Sequence, residues 1–264
     1  MYDVQYHRAN SVKDAVARLS ASADGKLLAG GQTLLPTMKH HLAAPSDLVD
    51  LRGIPDLVGV KVSGKSVTIG AMTPHATVAS DAELAKVCPA ITVLAGGIGD
   101  PAVRHQGTVG GSIANNDPAA DYPAGLLALG ATIHTDKREI AADDFFTGLF
   151  STALDDNEII TAVSFQVPER CGYAKFPNPA SRYAMTGVFV AKSVDKVRVA
   201  VTGAGSDGVF RHEGLEAALA GNWSADAVDG VAVSADDLMS DIHCDADYRA
   251  NLIKVMTKRA LAAA

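Results

Sequence analysis

The chain has 264 residues, 48% hydrophobic and 20% charged, enough apolar content for one large or two modest domains and too much for disorder. Its formal net charge of -7, with no cluster of Lys and Arg, argues against a nucleic-acid or anionic-membrane partner. The start, Met1-Tyr2-Asp3-Val4, has neither a basic nor an apolar leader region, and no apolar run approaches about 18 residues. The expectation is a soluble, cytoplasmic protein with no membrane span.

Helices and strands alternate along the chain. Ser11 before Val12-Lys13-Asp14 reads as a capping arrangement opening a helix through Leu19, with Val12, Ala15, Val16 and Leu19 on one face. Lys26 to Ala29 is a short buried strand ending in a glycine pair, Gly30-Gly31. Gln32 and Thr33 follow, then Leu34-Leu35-Pro36, an apolar run with proline in its first turn, which is how a helix starts. His40-His41 fall on that helix, where neighbours point about 100° apart, whereas helical metal ligands pair at i,i+3 or i,i+4. No metal site is expected there. Leu48 to Leu51 is a further strand.

From Leu57 the apolar period changes to two, through Val58, Val60 and Val62 and again Val67 and Ile69, around Ser63-Gly64-Lys65-Ser66. That is a β-hairpin. Gly59 to Ser66 matches the P-loop pattern letter for letter, yet Val67-Thr68-Ile69 is β-branched and strand-like where a helix must follow, so the match is rejected. Ala82 to Ala95 reads as helix interrupted at Pro89. A second glycine pair stands at Thr108-Val109-Gly110-Gly111-Ser112, and Ala119 to Leu129 reads as a helix entered after Asp117-Pro118. Thr132 to Thr135 and Arg138 to Ile140 form a hairpin, and Ile159 to Val167 a strand.

Pro168 to Gly172 is a turn-rich boundary. Beyond it, Ala184 to Ser193 and Lys196 to Thr202 are consecutive strands, while Leu215 to Ala220 and Tyr248 to Ala263 are helical, a small α+β unit. Gly203-Ala204-Gly205-Ser206-Asp207-Gly208 satisfies the dinucleotide-binding pattern, but Val209-Phe210-Arg211 suits a helix start poorly and Gly214 would fall in the helix interior. A plain strand-to-helix turn is expected. Cys88, Cys171 and Cys244 are widely spaced with no C-x-x-C pattern, so this chain alone holds no disulfide framework, zinc or iron–sulfur site.

The two glycine pairs carry the chemistry. Each removes two Cβ atoms where backbone must approach something, each is followed by a hydroxyl, and neither contains Lys or Arg. A phosphate there is held by N–H groups, hydroxyls and a helix N-terminus. The pairs read as two halves of one diphosphate cradle, with two plain tight turns as the alternative.

In this order the same residues carry a resemblance. Ala29 to Pro36 with Met38-Lys39, Ile98-Gly99-Asp100-Pro101-Ala102-Val103-Arg104, Gly107 to Ser112, Asp117-Pro118-Ala119-Ala120-Asp121 and Asp247-Tyr248-Arg249 resemble the FAD-binding medium subunit of the molybdenum hydroxylases. That family includes carbon monoxide, xanthine, aldehyde and nicotinate dehydrogenases. The resemblance spans nearly the whole chain and implies an α+β fold: a two-part FAD-binding domain of the p-cresol methylhydroxylase type over residues 1–168, with lobes about 1–55 and 56–168, then a small α+β domain over 169–264. It implies FAD on this chain, molybdopterin on a large partner subunit and [2Fe-2S] clusters on a small one, assembled as a dimer of heterotrimers.

For the site, the resemblance implies Ala29, Gly30, Gly31, Gln32, Thr33 and Leu34, with Thr108, Val109, Gly110, Gly111 and Ser112, around the diphosphate and ribityl chain. Asn115, Asp117 and Asp121 are further cofactor contacts. Ile98, Ile160 and Lys175 match cofactor-lining positions, and Tyr183 matches a tyrosine packed near the isoalloxazine in some members; for Ile98, Ile160 and Tyr183 ordinary core packing is the alternative. Members that reduce aromatic thioesters carry a cluster-binding insertion whose cysteines are missing here. No residue is expected to be catalytic by itself, because flavin couples one-electron clusters to a two-electron acceptor. Two other readings stay open: a self-contained flavin oxidase of the same superfamily, and a non-catalytic nucleotide-binding or scaffold protein.

Overall fold

The computed structural model describes residues 2–264. Its first lobe runs β1 (Gln5–Arg8), α1 (Val12–Ala21), β2 (Gly25–Leu28), α2 (Leu34–Lys39) and β3 (Asp47–Asp50), with the strands parallel in the order β1-β3-β2. Parallel neighbours need crossovers, which α1 and α2 provide. The Ser11 hydroxyl accepts the Asp14 N–H and caps α1, as its sequence predicts. Helix α2 stops at Lys39, and His41 turns left-handed at φ 60°, so the histidine pair lies beyond the helix it was expected on.

The second lobe holds an antiparallel five-stranded sheet. Its elements are β4 (Val60–Ser63), β5 (Ser66–Gly70), α3 (His75–Ser80), α4 (Ala82–Val87), α5 (Pro89–Gly96), α6 (Pro101–Gln106), α7 (Val109–Asn115), α8 (Tyr122–Leu129), β6 (Thr132–Thr135), β7 (Glu139–Ala141), α9 (Ala142–Phe145), the small pair β8 (Phe146–Gly148) and β9 (Ser151–Thr152), and β10 (Ile160–Gln166). The order is β4-β5-β10-β6-β7. Lys65 sits in the β4–β5 turn with a strand behind it, so the P-loop match is a decoy. Pro89 splits the predicted helix into α4 and α5. The expected helix from Ala119 begins only at Tyr122, because Asp117 to Asp121 are spent on a turn closed by Ala120 N–H to Asp117 O.

The third sheet is antiparallel, in the order β11 (Arg170–Pro177), β12 (Ala184–Lys192), β13 (Val197–Thr202) and β14 (Phe210–Arg211), followed by α10 (Glu213–Gly221), α11 (Ala225–Asp229) and α12 (Ala246–Ala262). Its pleat divides the core: Phe189, Ala191 and Ala200 face the second-lobe cluster with α8, while Val188, Val190, Val199 and Val201 pack with Ile253 and Met256 of α12. Every residue of α8 is buried, as a helix apolar all round requires. Two expectations are corrected. Cys171 and Gly172 are paired strand within β11 rather than part of a turn-rich break, and Gly203 to Gly208 turns from β13 into β14, a hairpin rather than a strand-to-helix turn. Sequence spacing also hid a contact, since Cys88 and Cys171 bring their buried sulfurs to 3.5 Å.

Arg249 anchors α12 to this sheet. Its guanidinium, 2% exposed, donates to the carbonyls of Met185 and Gly203 and, at 2.6 Å, to Asp241 Oδ2.

Candidate cofactor site

A cleft of about 730 Å³ opens between the first glycine loop and the second lobe, within the usual size of ligand sites. Every residue expected at the site lines it except Val109 and Lys175. Val109 is fully buried and faces the core, and Lys175 stands behind Asp121 as its ion-pair partner.

The two glycine segments meet there with unequal roles. A Cβ on Gly30 would stand 2.1 Å from Gln106 O, and one on Gly110 would stand 2.8 Å from Ala71 O, so both glycines are required first by protein backbone. Gly31 instead adopts φ +71°, which swings the loop toward α2. The second pair is no free loop: it forms the first turn of α7, capped by Thr108 Oγ1 accepting Gly111 N–H at 3.1 Å. Val109 N–H is spent on Thr73 O and Gly110 N–H on Ala71 O at 2.7 Å.

The first loop keeps its donors. Its carbonyls accept Leu35 N–H at Gly31 O, Thr37 N–H and hydroxyl at Thr33 O and the Gln32 amide at Gly30 O, while no acceptor among the described residues takes the N–H of Gly30, Gly31, Gln32 or Thr33. Thr33 precedes α2 without a capping bond from its side chain, leaving that hydroxyl for a ligand. Consecutive unspent N–H groups beside a hydroxyl suit an acceptor-only group, which a diphosphate is. The residues therefore fit FAD, with the donors on one side of the cradle and close packing on the other.

At the far end, Asp121 is 4% exposed. Lys175 Nζ lies 2.9 Å from its Oδ1, and the Tyr173 hydroxyl donates to the same oxygen. Burial pushes the Asp121 carboxyl up, with the Lys175 charge and the Tyr173 hydrogen bond opposing it. Tyr183 is half-exposed at the rim, its phenol raised by burial and then by the Asp117 and Asp121 charges. His75 also lines the cleft, unforeseen because Thr73-Pro74-His75 carries no motif. Burial first, and then the Arg104 charge, brings its imidazole down to about 4, so it is neutral at pH 7. Among the described residues no group of three or more His, Cys, Asp or Glu is placed to hold a metal, and no helix is long and apolar enough to cross a membrane.

Residues 2–169 match the family described as FAD binding domain in molybdopterin dehydrogenase. The chain belongs to that family. It is 34% identical over 272 residues to the nicotine 6-hydroxylase medium subunit of Paenarthrobacter nicotinovorans, covering 98% of this chain and 96% of that one. Identity to the carbon monoxide dehydrogenase medium chain of Hydrogenophaga pseudoflava is also 34%, with the same coverage of 98% and 96%. Among solved structures, reconstituted CO dehydrogenase from Oligotropha carboxidovorans superposes with a TM-score of 0.90 at 34% identity, over 99% of each chain. Within its family the protein is thus an FAD-binding medium subunit of the molybdenum hydroxylase type, an oxidoreductase component.

Proposed function

We propose that the chain is the electron-transfer flavoprotein of a cytoplasmic molybdenum hydroxylase, receiving electrons from [2Fe-2S] clusters of a small subunit and delivering them to an external acceptor. A large subunit carries molybdopterin and the substrate site, and the assembly is a dimer of heterotrimers. FAD supplies the ability to take electrons one or two at a time. The flavin domain spans 1–168, with lobes about 1–55 and 56–168, and an α+β domain spans 169–264; the family match ending at residue 169 supports the boundary at 168.

In this reading the N–H groups of Gly30 to Thr33, with the Thr33 and Ser112 hydroxyls, bind the diphosphate. Gly110 and Gly111, in the first turn of α7, form the facing wall, and Asn115 and Asp117 extend the polar side. Ile98, Leu34 and Ile160 supply apolar walls that exclude water, and Asp121, backed by Lys175, presents a fixed acceptor. Tyr183 closes the rim. One observation carries the reading: the cleft can hold a dinucleotide, while among the described residues lining it no hydroxyl is hydrogen-bonded to a carboxylate or an imidazole as an activated nucleophile would be. Purification of the intact assembly with counting of subunits, FAD, molybdenum and iron tests it. Equal amounts of three subunits with one flavin each support it, and a flavin-bearing single chain that oxidises an alcohol, aldehyde or heterocycle overturns it.

A further inference from the structure

Resting on that placement of FAD, one strand carries an arrangement the binding role leaves unexplained. Tyr173 and Lys175 are two positions apart on β11, so they share a face, and both reach Asp121 across more than fifty residues of chain. Oδ1 takes the Tyr173 hydroxyl and, at 2.9 Å, Lys175 Nζ, while Oδ2 has only Nζ at 3.2 Å. A carboxylate oxygen so lightly occupied keeps acceptor capacity, and this one belongs to a residue lining the cleft.

The neighbouring strand is shaped around the phenol. Gly187 of β12 pairs with Lys175, and a Cβ there would stand 2.7 Å from Tyr173 Oη. Glycine weakens a strand interior, and here the missing side chain is the space through which the hydroxyl reaches Asp121. The ring itself packs on Phe189, with centroids 6.0 Å apart, so apolar packing alone would be met as well by phenylalanine.

We propose that Tyr173 is a positioning residue for the cofactor: it fixes the Asp121 carboxylate so that Oδ2 accepts an N–H of the bound flavin ring. A ring N–H held by a carboxylate oxygen passes electron density to the flavin and opposes its reduction. Loosening it raises the flavin potential and weakens binding together.

The test uses the full chain carrying Tyr173→Phe, with FAD affinity read by flavin fluorescence, midpoint potential by dye equilibration and folding by Tm. The expected result is a roughly ten-fold weaker FAD complex, as for one lost charge-assisted hydrogen bond, and a more positive potential. Gly187→Ala, which displaces the hydroxyl without removing it, moves both readouts the same way. A Tyr173→Phe protein with wild-type affinity and potential overturns the assignment, and so does one whose Tm falls while its potential stays. Either failure leaves the electron-transfer reading intact, because that reading is judged on the wild-type assembly.

Discussion

Gly30 turns its Cα toward the carbonyl of Gln106 so closely that a methyl group there would stand 2.1 Å from the oxygen. The cradle loop thus rests on the end of α6 backbone to backbone. Gly30→Ala is expected to force the segments apart, costing about 1–3 kcal/mol as overpacking does, and to strip FAD. Gly111→Ala meets only Thr108 Oγ1 at 3.0 Å and Ala29 Cβ at 3.3 Å and keeps most of its flavin. Flavin absorbance per protein after gel filtration checks the pair, and equal retention contradicts the joint.

Lys65→Ala leaves flavin content and ATP binding unchanged, because Lys65 lies on the β4–β5 turn and outside the cleft. Isothermal titration with ATP should give no heat in either protein. ATP binding that vanishes in the variant would restore the P-loop.

What the sequence discloses follows the reach of its signals. The hairpin from Val58 to Ile69 and the break at Pro89 are read correctly because period-two alternation and proline act on nearest neighbours. Helices α6 and α7 are missed: they are six and seven residues long, and a glycine pair sits in the first turn of the second. Strand β14 is missed because two residues show no period. At the site, the glycine segments are visible, but not that one keeps its N–H donors while the other spends them within the protein. Asp121 and Lys175 come from resemblance, whereas their contact, and Tyr173 with it, joins residues too far apart in sequence for any local pattern.

Lys175→Met leaves the Asp121 carboxylate buried without its ammonium, so a loss on the order of 3–5 kcal/mol is expected at neutral pH. Burial already raises this carboxyl, and removing the cation raises it further, so protonation relieves the deficit as pH falls. Urea unfolding at pH 7.5 and 5.5 should show the smaller loss at the lower pH. Adding Asp121→Asn to Lys175→Met should recover stability, and a double variant no better than the single one contradicts the buried pair.

His75 titrates near 4 in the folded chain against 6.5 unfolded, so the unfolded state binds its proton first. Its contribution, roughly 3 kcal/mol at most, is complete above pH 6.5 and is lost as pH falls toward 4. His212, lowered chiefly by burial, acts in the same direction. Between pH 6.5 and 5, above the carboxylate range, His75→Phe should flatten much of the slope of unfolding free energy against pH. An unchanged slope would contradict a buried neutral imidazole.

The proposed electron-transfer role requires that this flavin be reduced by partner subunits rather than by substrate. Anaerobic stopped-flow at the flavin band decides it, comparing the FAD-loaded single chain with the same chain co-purified with its cluster and molybdenum subunits, each mixed with the substrate that the complex oxidises. Bleaching is expected in the complex and none in the isolated chain, which lacks the cluster and molybdenum subunits. Bleaching of the isolated chain by that substrate, at a rate matching the complex, would contradict it.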